Sequence, residues 1–256
     1  SMQGRVAWSH EGRRAAYIRY ASFAMTAPVV VMAGAFVHGD ARITAWVVAS
    51  VMNLVGAFRG AGGDWAIDPV HFAERHALFI IISLGEVLVA VGATATGLGL
   101  DARTVMALVV AVALACVLWW TYFAYMPTVT ERLLRGAVGA AKGALARDVF
   151  TLGHFPLAFG LILYAVVAKH VVESPTVRFD SHDRLVLGLS VVCYVGGLSA
   201  IQWRAVRRVA PERWFGIALG GLVPVLGRWM PPMVVVSMMA IALLAMHTIT
   251  LRRLRG

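Results

Sequence analysis

A single carboxylate, Glu86, lies inside a long apolar run at residues 77–98. A helix of about 20 apolar residues crosses a bilayer. At a rise of about 1.5 Å per residue, Glu86 lies about 15 Å beyond His76, near the middle of a hydrocarbon core about 30 Å thick. A carboxylate at that depth is costly unless it is protonated or has a partner. Glu86 is therefore a candidate proton or cation site, and the alternative is a hydrogen-bonded residue that fixes helix packing.

Several residues that precede Glu86 share its side of the predicted helix. Spacings of 4, 3, 4 and 4 place five residues on one stripe, if the helix is continuous: His71, Arg75, Leu78, Ile82 and Glu86. The stripe is charged at its start, where Glu74 precedes Arg75, and again at mid-membrane. If Glu86 binds an ion or solute, we expect His71, Glu74 and Arg75 to form the cytoplasmic mouth of that site.

A histidine in a later apolar run is a candidate partner for Glu86. His154 is followed two residues later by Pro156, which has no backbone N–H and leaves nearby carbonyls free. An unperturbed histidine titrates near physiological pH, so His154 is a candidate relay of protons to Glu86. The alternative is that His154 hydrogen-bonds to neighbouring backbone.

Other polar residues have mainly structural interpretations. Asn53 lies inside an apolar run and is a candidate for a hydrogen bond between helices. Asp148 follows Arg147 and is expected to pair with it at a helix entry. Lys169 ends an apolar run, where its ammonium group can extend to the interface. His247 lies near the end of the last run, where water is expected to be close.

The composition decides the class of protein. Hydrophobic residues make up 60% of the 256 residues and charged residues 14%, with a mean hydropathy of +0.77. Soluble domains carry about 25% charged residues, so the sequence predicts a polytopic membrane protein. The net charge of +10 lies in short loops between apolar runs, which favours membrane topology over nucleic-acid binding. The expected partners are the lipid bilayer and a small solute or ion, with the oligomeric state open.

Eight apolar segments predict eight transmembrane helices within one integral membrane domain, residues 1–256. The segments cover residues 17–37, 42–58, 76–98, 103–125, 149–168, 185–203, 214–226 and 233–249. Helices are expected because an open strand cannot satisfy its backbone in lipid, and the alternation of barrel strands is missing from the sequence. The predicted fold is an all-α bundle.

The basic residues predict the orientation of this bundle. Of the 23 Lys and Arg, 17 lie at the two termini and in the second, fourth and sixth loops, against 6 in the other loops. By the positive-inside rule, both termini are predicted to be cytoplasmic.

Motifs of common enzymes and metal sites are missing from the sequence. There is no GxSxG, Walker loop or HExxH, and no pair of carboxylates within one apolar segment. The two cysteines, Cys116 and Cys193, lie in apolar runs without metal-ligand spacing. We therefore expect no enzymatic activity, no metal and no cofactor.

The block HFAERHALFIIISLGEVLVAVGA around Glu86 resembles the signature of the bacterial low temperature requirement protein A family. Residues 147–171 resemble a later block of that family, and WWTYF at residues 119–123 resembles the segment after the signature. The aromatic residues of this last segment are expected to form a belt at the membrane interface.

The chain departs from the family pattern in two ways. Val87 stands where family members commonly have a serine after the glutamate, which removes a hydroxyl from the candidate site. Family members also open with an ELFFDLVFV-like block and further helices, and this sequence is expected to correspond to their C-terminal two-thirds.

The resemblance implies a multipass protein of the bacterial inner membrane and a role in growth at low temperature. From the residues, the main hypothesis is a transporter or channel-like protein for a small solute or ion that uses Glu86. The alternative is a non-transporting membrane protein that supports the envelope in the cold.

Overall fold

The computed structural model describes residues 21–22, 25–60, 67–99 and 101–255, and these residues form helices joined by short connections. The helices are α1 (Met25–Ala35), α2 (Asp40–Gly60), α3 (Pro69–Thr96), α4 (Ala102–Phe123), α5 (Met126–Gly136), α6 (Gly139–Leu145), α7 (Gly153–Glu173), α8 (Ser181–Val206), α9 (Pro211–Leu226) and α10 (Pro232–Arg255). A π-helical segment, Ala146–Leu152, precedes α7, and a 3-10 turn, Gly227–Trp229, follows α9. The all-α prediction is confirmed.

Six helical stretches in the described part of the chain are long and apolar enough to cross a membrane. They are Asp40–Phe58, Pro69–Thr96, Ala102–Gly136, Gly139–Glu173, Ser181–Val206 and Pro232–Arg253. The first and seventh predicted segments correspond to shorter helices, α1 and the 16-residue α9. Residues 17–20 and 23–24 of the first predicted segment lie outside the described residues.

The chain divides into two compact units. Unit 1 comprises Ser1–Pro69 and Arg132–Thr151, and unit 2 comprises Val70–Glu131 and Leu152–Gly256. Within unit 1, the Trp46 indole on α2 donates a hydrogen bond to the Val31 carbonyl on α1, at 3.3 Å. The Arg147 guanidinium lies 5.2 Å from the centre of the Phe58 ring in the same unit.

Glycines let the helices of unit 2 approach closely. A Cβ added to Gly160 on α7 would lie 2.6 Å from the Ser190 carbonyl oxygen on α8. A Cβ on Gly188 would lie 2.5 Å from the Gly220 carbonyl oxygen on α9. Small residues at such crossings are typical of membrane helices, because association there depends on close packing. These contacts hold α7, α8 and α9 together.

Two local features position the helices that carry the polar groups described below. Asp101 caps α4, and its carboxylate accepts a hydrogen bond from the Thr104 backbone N–H at 2.8 Å. That hydrogen bond lowers the pKa of Asp101. Pro156 lies inside the first turn of α7, directly after the π-helical segment. Proline cannot donate a hydrogen bond to the preceding turn, so the helix is irregular around His154. Short π-helical turns of this kind often occur at functional sites.

Candidate functional site

The predicted stripe on α3 lies on the exposed face of that helix. The helix is continuous from Pro69 to Thr96, so the spacing argument holds. Leu78 and Ile82 are 55% and 63% exposed, and Glu86 is exposed beside them. Val87 is fully buried on the opposite face. Among the described residues, the Glu86 carboxylate makes no hydrogen bond or ion pair, and it faces away from the interior of unit 2.

The charged start of the stripe is also exposed. His71 Nδ1 lies 3.2 Å from Glu74 Oε2, one turn further along, and Arg75 is exposed next to this pair. Both side chains of the pair are more than half exposed, so water screens their interaction. These three residues are near one another at the start of α3, and Glu86 lies about three turns further on.

Three residues with predicted structural roles lie in different parts of the chain: Asn53, Asp148 and Lys169. Asn53 is exposed on α2. The Arg147 Nε donates to Asp148 Oδ1 at 2.7 Å, which is the pairing expected at this helix entry. The Lys169 Nζ lies 3.6 Å from Glu173 Oε1, one turn further along at the end of α7.

His154 lies inside unit 2, and the structure joins it to residues other than Glu86. Its side chain is 1% exposed, and His154 Nε2 is hydrogen-bonded to Tyr122 Oη at 2.8 Å. The ring of His76, on α3, contacts His154 edge-on at 5.2 Å between centroids. His76 Nδ1 in turn hydrogen-bonds to the Phe72 carbonyl at 2.8 Å. Since His154 is buried and Glu86 is exposed, the predicted relay between them is not formed in this structure.

Polar contacts follow one side of α4 and continue just past its end. The positions that make them are spaced 7, 4 and 3 apart, which places them on one helical face: Ala111, Leu118, Tyr122 and Tyr125. From Ala111 to Tyr122 the line extends about 16 Å, at about 1.5 Å per residue. We call these contacts the α4 polar line.

Side chains from the neighbouring helices complete the α4 polar line. The Tyr164 hydroxyl on α7 donates to the Ala111 carbonyl at 2.7 Å. The Tyr194 hydroxyl on α8 donates to the Leu118 carbonyl at 2.6 Å. Both tyrosines are buried, so their hydroxyls need these partners. His154 then hydrogen-bonds to Tyr122, so this contact of the line joins a phenol to an imidazole rather than to a backbone carbonyl.

A buried arginine lies at the far end of the α4 polar line. Arg213, in the first turn of α9, is 2% exposed and donates a hydrogen bond from Nη2 to the Tyr125 hydroxyl. Its Nη1 has no hydrogen-bond partner among the described residues. His247, on α10, is also 2% exposed, and its ring stacks on Tyr125 with 6.3 Å between centroids. The Nε2 of His247 likewise has no partner among these residues.

The nearest carboxylate in sequence is bonded to other groups. Glu212 accepts a hydrogen bond from the Thr250 hydroxyl at 2.8 Å and another from Arg253 Nη1 at 3.1 Å. Arg213 forms no ion pair in the described part of the chain, and its hydrogen-bond partner is the Tyr125 hydroxyl. Burying a cation without a carboxylate partner is costly.

These buried groups have only weak signals in the sequence. The segment around Tyr122 was interpreted as an aromatic belt, and Trp119 and Trp120 fit that role at 48% and 41% exposed. Tyr122 is only 1% exposed, so the belt prediction is wrong for it. His247 was expected near water, but it is buried under Tyr125 and Trp120. Arg213 directly precedes the predicted segment 214–226, so its position in the sequence places it among the basic residues of the sixth loop.

In the ranges that the structure describes, no three His, Cys, Asp or Glu residues are grouped so that they could hold a metal ion. The phenol and imidazole side chains of the α4 polar line can form hydrogen bonds and can take part in proton exchange.

The helices and their buried polar line define the class: this is an all-α, multipass membrane protein. The family follows from comparison with known proteins. The chain belongs to the family described as bacterial low temperature requirement A protein (LtrA), whose model matches residues 2–248.

A curated relative from Rhizobium meliloti (strain 1021), described as an uncharacterized protein, is 33% identical over 138 residues. The match covers 49% of this chain and 32% of the relative, so this chain spans about a third of that protein's length in the match. No solved structure matches the chain significantly.

Proposed function

We propose that this protein moves a small solute or ion across the bacterial inner membrane, with proton exchange at the buried Tyr122–His154 pair. The observation that supports this most is the 2.8 Å hydrogen bond between these two side chains, each 1% exposed, inside a membrane bundle. Titratable groups in the interior of membrane bundles are costly and commonly belong to proton or substrate pathways. The proposal involves no covalent chemistry, so it treats the protein as a non-enzyme without a cofactor.

The chemical argument depends on what the two groups can exchange. The imidazole of His154 donates or accepts this hydrogen bond depending on its tautomer, and the phenol of Tyr122 can do either. Histidine is also a side chain that commonly relays protons. His76 lies against His154, on the side of α3 opposite to the exposed stripe, which extends the polar contact to a second imidazole. By contrast, the hydroxyls of Tyr164 and Tyr194 donate to backbone carbonyls, so they fix helices and carry no proton onward.

The orientation forms part of the proposal. With both termini in the cytoplasm, as the basic residues favour, the buried Arg213 and His247 would lie toward the cytoplasmic end of the α4 polar line. Glu86 remains a second candidate ion site, on the exposed face of α3, and its role is tested separately from that of the buried pair.

The test is proton flux in liposomes that contain the purified full chain and an internal pH dye, with and without candidate cations. Tyr122→Phe removes one hydroxyl and is expected to reduce flux at least tenfold. Tyr164→Phe is the matched control, because it removes an equally buried hydroxyl that donates to a carbonyl, and flux should stay within twofold. Glu86→Gln is measured in parallel, and loss of flux there alone would move the site to α3. Equal losses in Tyr122→Phe and Tyr164→Phe would contradict the proposal.

A second candidate function is a non-transporting membrane protein that supports the cell envelope or growth in the cold. The close contacts at Gly160 and Gly188 favour it, since they describe helices packed without room for a solute between them. Under this function, liposomes with the wild-type chain show no flux above empty liposomes. Cold growth of a strain lacking the gene would then be restored equally by the wild type and by Tyr122→Phe.

A further inference from the structure

An open pocket in unit 2 collects three arginines at the start of α8 and the end of α9. Its volume is about 570 Å³, and its charged and aromatic lining is Arg178, Asp180, Arg184, Arg228 and Trp229. Three guanidinium groups face one carboxylate, so the pocket carries a net positive charge. This pocket is separate from the α4 polar line, and none of its residues serves the function proposed above.

The one carboxylate of the pocket is bonded to its own helix. Asp180 caps α8, and its Oδ2 accepts a hydrogen bond from the His182 backbone N–H at 2.8 Å. This bond lowers the pKa of Asp180, so the group is ionised at neutral pH and oriented toward the helix start. No ion pair joins Asp180 to Arg178, Arg184 or Arg228 within the described residues. The arginines therefore keep their charge uncompensated by direct contact.

Two of the arginines are held in place by neutral groups. Arg184 Nη1 donates to the Phe179 carbonyl at 2.5 Å, and Arg184 Nε donates to the Pro224 carbonyl at 3.1 Å. A guanidinium has five N–H donors, so three remain on Arg184. The Arg228 guanidinium lies over the Trp229 ring, 4.0 Å from its centroid. Both guanidinium groups are thus partly ordered before any ligand is present, which reduces the entropy lost on binding.

We propose that this pocket binds a phosphate group, either on an anionic lipid headgroup or as free phosphate, through Arg178, Arg184 and Arg228. Planar guanidinium forks match the oxygens of a phosphate in pairs and bind them with short, charge-assisted hydrogen bonds. The start of α8 adds the positive end of a helix dipole. Trp229, at 59% exposed and next to Met230, offers an apolar edge of the kind that occurs at membrane interfaces.

The proposal is tested on the full chain purified in a sugar-based detergent without phosphate. Inorganic phosphate and a short-chain phosphatidylglycerol are titrated by isothermal calorimetry, with the matching short-chain diacylglycerol as the uncharged probe. We expect binding of at least one phosphate-bearing probe and none of diacylglycerol. Binding of phosphatidylglycerol but not of inorganic phosphate assigns the site to a lipid headgroup, and binding of inorganic phosphate assigns it to a free anion.

The variant is Arg178→Gln with Arg228→Gln, which spares Arg184 and its bonds to the backbone. We expect its affinity for the bound probe to fall at least tenfold, as the loss of charge-assisted hydrogen bonds requires. Arg208→Gln is the matched control, an exposed arginine between α8 and α9 at the other end of these helices, and its affinity should stay within twofold. Unchanged thermal unfolding in both variants shows that they fold. No binding of either phosphate probe to the wild type, or equal losses in variant and control, would overturn the proposal.

Discussion

Glu86 on α3 and Tyr122 on α4 both lie in helices long and apolar enough to cross the membrane, but their surroundings differ. Glu86 is on the exposed face of unit 2 with no partner among the described residues, while Tyr122 is 1% exposed and bonded to His154. The carboxylate is the more conspicuous residue in the sequence. The phenol and its histidine partner are the ones that the fold encloses. Depth along a helix therefore does not tell whether a polar group faces the interior of the bundle.

The largest predicted difference in stability is between a glycine at a helix contact inside the bundle and a glycine on the outer part of α3. A Cβ at Gly188 would lie 2.5 Å from the Gly220 carbonyl oxygen, which is backbone and cannot turn aside. We expect Gly188→Ala to lower the free energy of unfolding by about 3 kcal/mol, because α8 and α9 must separate. The change is measured by thermal or denaturant unfolding in detergent.

Gly85→Ala, next to Glu86 on α3, is the control for this prediction. Nothing lies within 4 Å of a Cβ added there, and alanine favours a helix over glycine by up to about 1 kcal/mol. The control should be neutral or slightly more stable. Equal destabilisation at both positions would show that the outer face of α3 is packed like the interior.

Arg213 tests whether the buried end of the α4 polar line is built for stability. Replacing this 2% exposed cation with the apolar Arg213→Met removes the cost of burying a charge, and we expect stability to be kept or raised by about 2 kcal/mol. The measurement is the unfolding midpoint in detergent.

The comparison for Arg213 is Arg253, whose side chain is 59% exposed and bonds to the 6% exposed Glu212. Arg253→Met should lower stability, because it leaves a buried carboxylate with one partner fewer. If Arg213→Met is the more damaging of the two, the Arg213 charge contributes to stability and has no need of a functional explanation.

Removal of the Tyr122 hydroxyl is expected to have a smaller effect on stability. Tyr122→Phe removes one buried hydrogen bond to His154, and we expect a loss of about 1 kcal/mol, within the range measured for such bonds in water and in membranes. Glu86→Gln, on the exposed face, should change stability by less than about 0.5 kcal/mol. A larger effect at Glu86 than at Tyr122 would reverse the contrast between the two regions.

The smallest predicted effect concerns the helix caps outside the membrane-spanning helices. Backbone hydrogen bonds lower the pKa of Asp101 and Asp180 in the folded protein below 3.8. Each cap therefore contributes stability above that ordinary value, and the contribution is lost as the pH falls through the lowered folded-state pKa. The stability advantage of the wild type over Asp101→Ala should be present at pH 6 and smaller at pH 3. An advantage that is the same at both pH values would contradict this assignment.

Composition and run length determined the class of this protein. Apolar runs near 20 residues require helices in lipid, since only helices satisfy their backbone internally there, and the structure has helices at the predicted runs. The spacing of Glu86 with Leu78 and Ile82 also determined that they share one face, because α3 is continuous. The charge pairs formed by near neighbours, such as Arg147 with Asp148, were likewise readable from the sequence.

Only the tertiary structure decided which face turns inward. In a soluble helix the polar face marks the outside, but in a membrane bundle the lipid-facing residues are as apolar as the interior ones. The pattern could therefore not show that Glu86 faces outward and Tyr122 inward. The pairs Tyr122–His154 and Tyr125–Arg213 are 32 and 88 residues apart in the chain, so no local spacing connects them. They depend on how α4 packs against α7 and on the contact of Tyr125, just past α4, with the first turn of α9. The sequence alone leaves both open.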